Sequence, residues 1–418
     1  MKQVSLARRA ARLSPNMPAS SHGPTIPFDS GHGFPALFPD LTAAAERALT
    51  IYRDETLQYG SRPGLLELRE WIAATMSGDG ADVAPDEIMV TNGAKQGIEL
   101  LCRLLLDEGD SIVVTAPTYF TSIPIFRSFD VDFVEVEQDA EGLDTARLET
   151  TLRRLKQEGR KPPKFVYNVP DFHNPTGITM SRRRREALLE LASRHGMYIV
   201  EDSPYRKVRF EGNSEPSLKA LDRTKNVFHL GTFSKLMAPG LRIGWIAGQR
   251  ELLARMMQLK ADGGTSPLVQ RIIVEWCKAG NLPAHTENVQ RTYRLHRDRM
   301  VAALRRNLPE ASVVVPQGGY YVWVTLPRNI DADELAKLAA EAGVTVLAGS
   351  KFYAVQGPGA LHSAGPPKNQ MRLAYSHSSP EEIDEGIRRL AGALRRCGVS
   401  PAGAPIERPV AHSHPTTA

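Results

Sequence analysis

Cysteine is scarce. Cys102, Cys277 and Cys397 are the only three in 418 residues, too few and too scattered for a disulfide framework or a paired-cysteine metal site. No metal is expected, and a reducing cytoplasm is the compartment that fits. Long apolar runs are missing too: none approaches the roughly 18 residues that a membrane-spanning helix requires, so no membrane partner is expected. Nor does one sign of charge dominate. The 52 Lys and Arg against 47 Asp and Glu leave +5 on the whole chain, and no nucleic-acid partner follows from so small an excess. Residues 1–26 are basic and acid-poor but lack the apolar core of a signal peptide, which leaves a flexible or docking arm. Residues 401–418 mix Pro, Ala, His and Thr without periodicity and read as a disordered tail. No internal repeat is visible.

What is present is an ordinary globular make-up, 42% apolar and 24% charged, with strand-like and helix-like segments in alternation. SIVVTA (111–116), KFVYNV (164–169), MYIVED (197–202), NVFHLG (226–231) and RIGWIAG (242–248) are short, β-branched or aromatic, and followed by loop residues. That is the pattern of buried strands in an α/β fold with a largely parallel sheet, whose strands deliver residues at their C-terminal ends. Helices are expected from about Gly93, with Ile98, Leu101, Cys102 and Leu105 inward, and from Ser181 to Gly196, with Leu188, Leu191 and Ala192 inward. The run Arg182 to Arg185 reads as a solvated first turn. Ser379 and Glu382 form a capping box for a third helix with Pro380 at its first position and Gly398 as its stop. ASVVVPQGGYYVWVTL (311–326) reads as two strands of a separate antiparallel sheet. The expected organisation is a joining segment over 27–45, a large domain over 46–296 and a small domain over 297–400.

The chemistry concentrates around GTFSKLMAPGLRIGW (231–245). Lys235 follows a strand and is flanked by Thr232 and Ser234, with Arg242 beyond, so phosphate donors surround an amine that faces inward. Pyridoxal 5'-phosphate would satisfy all of them, since its aldehyde joins a lysine and its phosphate needs hydroxyl, amide and guanidinium donors. Taken alone, a surface lysine in a Gly/Ser loop explains the segment equally well; other segments decide. Asp202 in YIVEDSPY ends an apolar strand, where a carboxylate could keep a pyridine nitrogen protonated. Glu201 is the competing acid, because strand alternation allows only one of the pair to face a cofactor. Asn174 in HNPTG and Tyr205 are neutral donors suited to a phenolate oxygen. TNGAKQG sets Gly93, Ala94 and Lys95 at a helix N-terminus, a ready anion site. Tyr119 in TAPTYF stands just beyond a strand, placed to lie on an aromatic ring.

Taken in order, PFDSGHGFPALFP, QYGSRPGLLELREW, TNGAKQG, APTYF, KFVYNVPDFHNPTG, VEDSPY, GTFSKLMAPGLRIGW and QMRLAYS resemble the fold-type I, class I/II aminotransferases that depend on pyridoxal phosphate. Within them the 2-aminoadipate and kynurenine aminotransferase branch is the most similar. The resemblance implies a large domain with a mostly parallel seven-stranded sheet between helices, plus a smaller α+β domain. It implies Lys235 as the Schiff-base lysine and proton shuttle, Asp202 as the pyridinium partner, and Asn174 and Tyr205 as phenolate donors. Tyr119 would stack on the ring, while Thr232, Ser234, Arg242, Ala94 and Lys95 surround the phosphate. Arg372 would grip the substrate carboxylate, with Gly31 and Asn174 lining the same pocket. Tyr59 would reach the neighbouring subunit's site, which implies a homodimer with shared active sites. The implied activity is transfer of an amino group from an L-amino acid to a 2-oxo acid, by family habit 2-oxoglutarate. A tailoring lyase, cyclase, oxidase or decarboxylase on an unusual amino acid would use the same residues. A pyridoxal-phosphate-binding regulatory domain is the more remote alternative. His32, His173 and the Gly/Pro-rich loop 355–369 carry no assigned role.

Overall fold

The computed structural model describes residues 25–354 and 365–397. The arm before residue 25, most of the 355–369 loop, Gly398 and the tail over 401–418 lie outside the described residues. The first short strand is β1 (Ile26–Pro27). The large sheet is then built by β2 (Ile88–Thr91), β3 (Ser111–Ala116), β4 (Asp132–Asp139), β5 (Gly142–Leu143), β6 (Phe165–Asn168), β7 (Tyr198–Asp202), β8 (Val227–Thr232) and β9 (Gly244–Ala247). Its order is β2-β9-β8-β7-β6-β3-β4-β5. Strands β2, β3 and β6 are buried at every residue, as strands covered by helices on both faces must be.

The sheet has eight strands rather than seven, the extra one being the two-residue edge strand β5. The segment read as RIGWIAG does not run with the others. β9 is antiparallel to both β2 and β8, so β2 and β8 point the same way as β3, β6 and β7. With β4 parallel to β3 and only β9 and the edge strand β5 reversed, the C-terminal ends of six strands open on a single edge.

Helix Ala94–Leu105 starts at Gly93 and buries Ile98, Leu101 and Cys102. Helix Arg182–His195 is capped by Ser181, whose hydroxyl accepts from the Arg184 amide, and ends on Gly196 in the left-handed conformation. Its first turn corrects one expectation. Arg182 and Arg183 are exposed, but Arg184 pairs with Asp139 and Asp144, and Arg185 is fully buried against Asp171. The reason is geometric: consecutive helical residues point all round the axis, and the side facing the sheet meets acids on other elements. Helix Pro380–Arg396 carries both bonds of the Ser379/Glu382 capping box and buries Ile383, Ile387, Leu390 and Leu394. Each of those side chains contributes about 1.5–3 kcal/mol by leaving water.

A 26-residue helix, Leu282–Asn307, leads to a second sheet. Here β10 (Ser312–Val314) and β11 (Tyr321–Thr325) pair antiparallel as expected. With β12 (Val344–Thr345) pairing β1 separately, β13 (Leu347–Ala348) and β14 (Gln370–Ala374) complete the order β10-β11-β14-β13. The β1–β12 pair and the bond from the Ala374 amide to the Phe28 carbonyl, 2.8 Å, fasten the 26–33 segment beside β14. That brings Gly31 and Arg372 to the open edge of the large sheet.

Candidate active site

The strand ends, the Asp29–His32 segment and β14 enclose a cavity of about 520 Å³. Lys235 points into it from the turn after β8, where Phe233 and Met237 are buried on either side and anchor the backbone. The Lys235 amine donates to the Gly31 carbonyl at 2.8 Å, and the Lys235 carbonyl accepts from the Tyr320 hydroxyl at 2.6 Å. Burial, with Arg372, Lys95 and Arg242 nearby, pulls the amine's pKa below the ordinary lysine value, against an opposing pull from Tyr321.

The two adjacent acids of β7 part company as strand alternation demands. Glu201 faces away from the cavity: it accepts from the Leu218 and Lys219 amides at 2.8 and 3.0 Å and pairs with His229 at 2.8 Å. Burial works against its charge, yet His229 and Arg185 outweigh it and hold the carboxyl down at about 2. Asp202 lines the cavity. Its Oδ2 accepts from the Tyr167 hydroxyl at 2.7 Å, while its Oδ1 is buried with no partner. Burial pushes this carboxyl up to about 6 despite the pull of Tyr167, His229 and Lys235.

Arg372 is 2% exposed. Its Nη1 donates to Asn174 Oδ1 at 3.0 Å and its Nη2 to the Asp29 carbonyl. Its guanidinium carbon sits 4.1 Å from the Tyr321 ring centre and 5.5 Å from that of Phe120. Asn174 Nδ2 and Arg372 Nε are buried without partners. At the other end of the cavity, Ala94 and Lys95 open their helix beside Thr232, Ser234 and Arg242. Gly93, at φ +77°, has no alternative: a side chain there would meet Arg242 Nη2 at 2.7 Å. Three cations, Lys95, Arg242 and Arg372, and the Lys235 amine line the cavity with two carboxylates, Asp29 and Asp202. The basic surplus suits an anionic ligand.

Most expected site residues thus converge. Gly93 borders the cavity through Arg242, and Tyr59 stands apart, 89% exposed. His173 is not a pocket residue. It lies buried with Nε2 3.0 Å from the Thr115 hydroxyl, and burial lowers its pKa to about 3, so it serves as a neutral packing residue. His32 does line the cavity, edge-on to His377 at 5.7 Å. Tyr321 was missed. Burial opposes its ionisation, but Arg372 and Lys235 outweigh burial and lower its pKa. A side chain at Gly31 would come within 2.1 Å of its hydroxyl. The signal was available in GGYY, since alternation along a strand beside QMRLA puts every second residue on Arg372's face.

Residues 26–390 match the family described as aminotransferase class I and II. The chain belongs to that family. This aminotransferase is 34% identical to aromatic-amino-acid aminotransferase 1 of Thermococcus litoralis, over 94% of this chain and 93% of the relative. It is 35% identical to 2-aminoadipate transaminase of Thermus thermophilus, over 88% and 90%. Among solved structures it is similar to Pyrococcus horikoshii kynurenine aminotransferase in complex with PMP, KYN and KYA, with a TM-score of 0.86, 34% identity and coverage of 94% and 97%. Amino-group transfer is therefore its chemistry, and the lyase, oxidase and regulatory alternatives are not favoured. Its cofactor is pyridoxal 5'-phosphate, and the residues fit that group. A partnerless buried carboxylate oxygen suits a protonated ring nitrogen, a partnerless amide N–H suits a phenolate, and the cationic helix start suits a phosphate.

Proposed function

We propose that this aminotransferase moves the amino group of an aromatic L-amino acid to 2-oxoglutarate, with Lys235 as the residue that holds the cofactor and carries the proton. The observation that supports this most is the Lys235 amine, its basicity lowered by burial, at the centre of a cavity whose remaining polar groups are only half satisfied. Bound pyridoxal phosphate supplies an electron sink for the α-carbon of the substrate. A neutral Lys235 amine can take the α-proton and deliver it again, as a general base matched to neutral pH does. Asp202, destabilised as an isolated anion, gains most from a cationic N–H and keeps that proton in place. Asn174 and Tyr205 donate toward the phenolate oxygen and Tyr119 covers the ring. The amides opened by Gly93, Ala94 and Lys95, with Thr232, Ser234 and Arg242, hold the phosphate. Arg372, braced by Asn174, grips the substrate carboxylate, and the absence of a side chain at Gly31 leaves room for it.

Aromatic donors are favoured by the walls of Tyr119, Phe120 and Tyr321 and by the activities named for the relatives. A homodimer with shared sites is favoured by exposed apolar surface: Phe38, Leu49, Ile51, Leu57, Tyr59 and Leu66 crowd one stretch of chain. In that dimer Tyr59 would reach the partner's phosphate site. Free Cys102, Cys277 and Cys397 favour a cytoplasmic place, and among the described residues no helix is long and apolar enough to cross a membrane. The pathway reading is amino-acid biosynthesis. The test is a panel of L-amino acids with 2-oxoglutarate, followed by mass spectrometry. Aromatic donors should give their 2-oxo acids with equal glutamate; ammonia release or oxygen uptake without glutamate would overturn the assignment.

A further inference from the structure

A second cavity, of about 370 Å³, shares two wall residues, Thr232 and Pro204, with the active site. Its walls include Trp71 and Met76 of helix Leu66–Gly78, the 203–207 segment after β7, Phe233 and Leu236 beside Lys235, Trp245 of β9, and the start of helix Leu282–Asn307. The rings form a continuous aromatic lining, with Phe233 centred 5.7 Å from Trp71 and 5.3 Å from Trp245. Apart from the shared Thr232, none of the wall side chains has a role in the transfer reaction.

Two polar groups in this apolar lining lack partners. Ser203 Oγ, on a residue 8% exposed, and Trp245 Nε1 are both buried without a hydrogen bond. An indole N–H can only donate, so what completes it is an acceptor oxygen. The charges in the wall are already committed: Lys207 pairs with Asp79 at 2.6 Å, and Arg206 with Asp171 at 3.2 Å and Asp79 at 3.8 Å. Glu287, the remaining acid, is exposed to solvent. A charged ligand would have to give up hydration with nothing to replace it. Apolar walls with a few convergent polar groups are the composition of small-molecule sites.

We propose that this cavity binds a neutral, single-ring aromatic molecule bearing a phenol-type oxygen, which accepts from Trp245 Nε1 and meets Ser203 Oγ. The occupant lies against Phe233 and Leu236 on one side and Leu282 and Thr286 on the other. It thus bridges the lysine turn and the start of the connecting helix, which already meet through His285 and the Leu236 carbonyl at 2.7 Å.

The test is calorimetric titration of the cofactor-loaded protein with p-cresol, at saturating 2-oxoglutarate and without amino donor, so that heat reports binding outside the substrate pocket. Saturable binding at one site per chain is expected. Ala81→Leu, which fills the cavity from a residue 1% exposed, should weaken it at least about tenfold. Thr286→Leu fills the cavity from the helix side and should do the same if Ala81→Leu does not fold. Binding that both variants leave unchanged, or no binding by the wild type, would overturn the proposal. Neither outcome bears on amino transfer, which the titration does not require.

Discussion

Two of the groups of buried charge within this fold are finished differently. Beneath helix Arg182–His195, the Arg185 guanidinium donates to the Met180, Pro170 and Pro216 carbonyls at 2.9, 3.2 and 3.2 Å and to Asp171 at 2.9 Å. The second Asp171 oxygen accepts from Arg206 at 3.2 Å. In the active-site cavity, Asp202, Asn174 and Arg372 each retain one buried polar atom with no partner. Leaving such groups bare costs stability. Arg185 and both oxygens of Asp171 are completed by the fold, whereas Asp202, Asn174 and Arg372 each keep one bonding position open. The contrast separates Asp171 from Asp202, two buried aspartates that composition alone treats alike.

The largest effect should come from Lys235→Ala. Transfer should fall by about 10⁴-fold in single-turnover assays, with the folded state retained. Next is Asp171→Asn, which leaves Arg185 without its counter-charge and should cost about 3–5 kcal/mol by urea unfolding. Turnover per folded molecule should stay unchanged; a large loss there would erase the distinction between the two groups. Arg372→Lys keeps the charge but loses the planar fork, and should raise KM for the amino donor by about 10²-fold while kcat falls less.

The smallest effect is a pH dependence. Asp202 has its carboxyl raised from 3.8 to about 6 by burial, so the folded protein without cofactor binds more protons than the unfolded chain between those values. Stability should therefore drop as pH rises from about 4 through about 6, by on the order of 2–3 kcal/mol. Asp202→Asn should remove that slope in urea titrations of the stripped protein. A slope that survives the substitution would assign it to another group.

The legible parts of the fold were those fixed by local chemistry. Capping at Ser181 and Ser379, the glycine at 93 and the apolar strands state their conformations within a few residues. What stayed hidden depended on distant partners. RIGWIAG is apolar whichever way it runs, and only its pairing with β2 and β8 makes it antiparallel. Arg184 and Arg185 looked solvated because Asp139 and Asp171 are far away in sequence. Of the site, Lys235, Asp202, Asn174 and Tyr205 were legible because each ends a strand or follows one, whereas Arg372, in the middle of β14, was legible only through the family resemblance. Tyr321 was read only as a strand residue, since its role arises from Arg372 and Gly31 converging on it. His173 had no assigned role in the sequence: Asn174 beside it lines the cavity, but its own ring is buried against Thr115.

The central claim is that Lys235 is the point of attachment for the cofactor. Borohydride reduction of the loaded protein, followed by proteolysis and peptide mass spectrometry, tests it most directly. A pyridoxyl mass confined to the peptide containing Lys235, and absent from Lys235→Ala, is the predicted result; the same mass on Lys95 or on any other lysine, or on none, would contradict it.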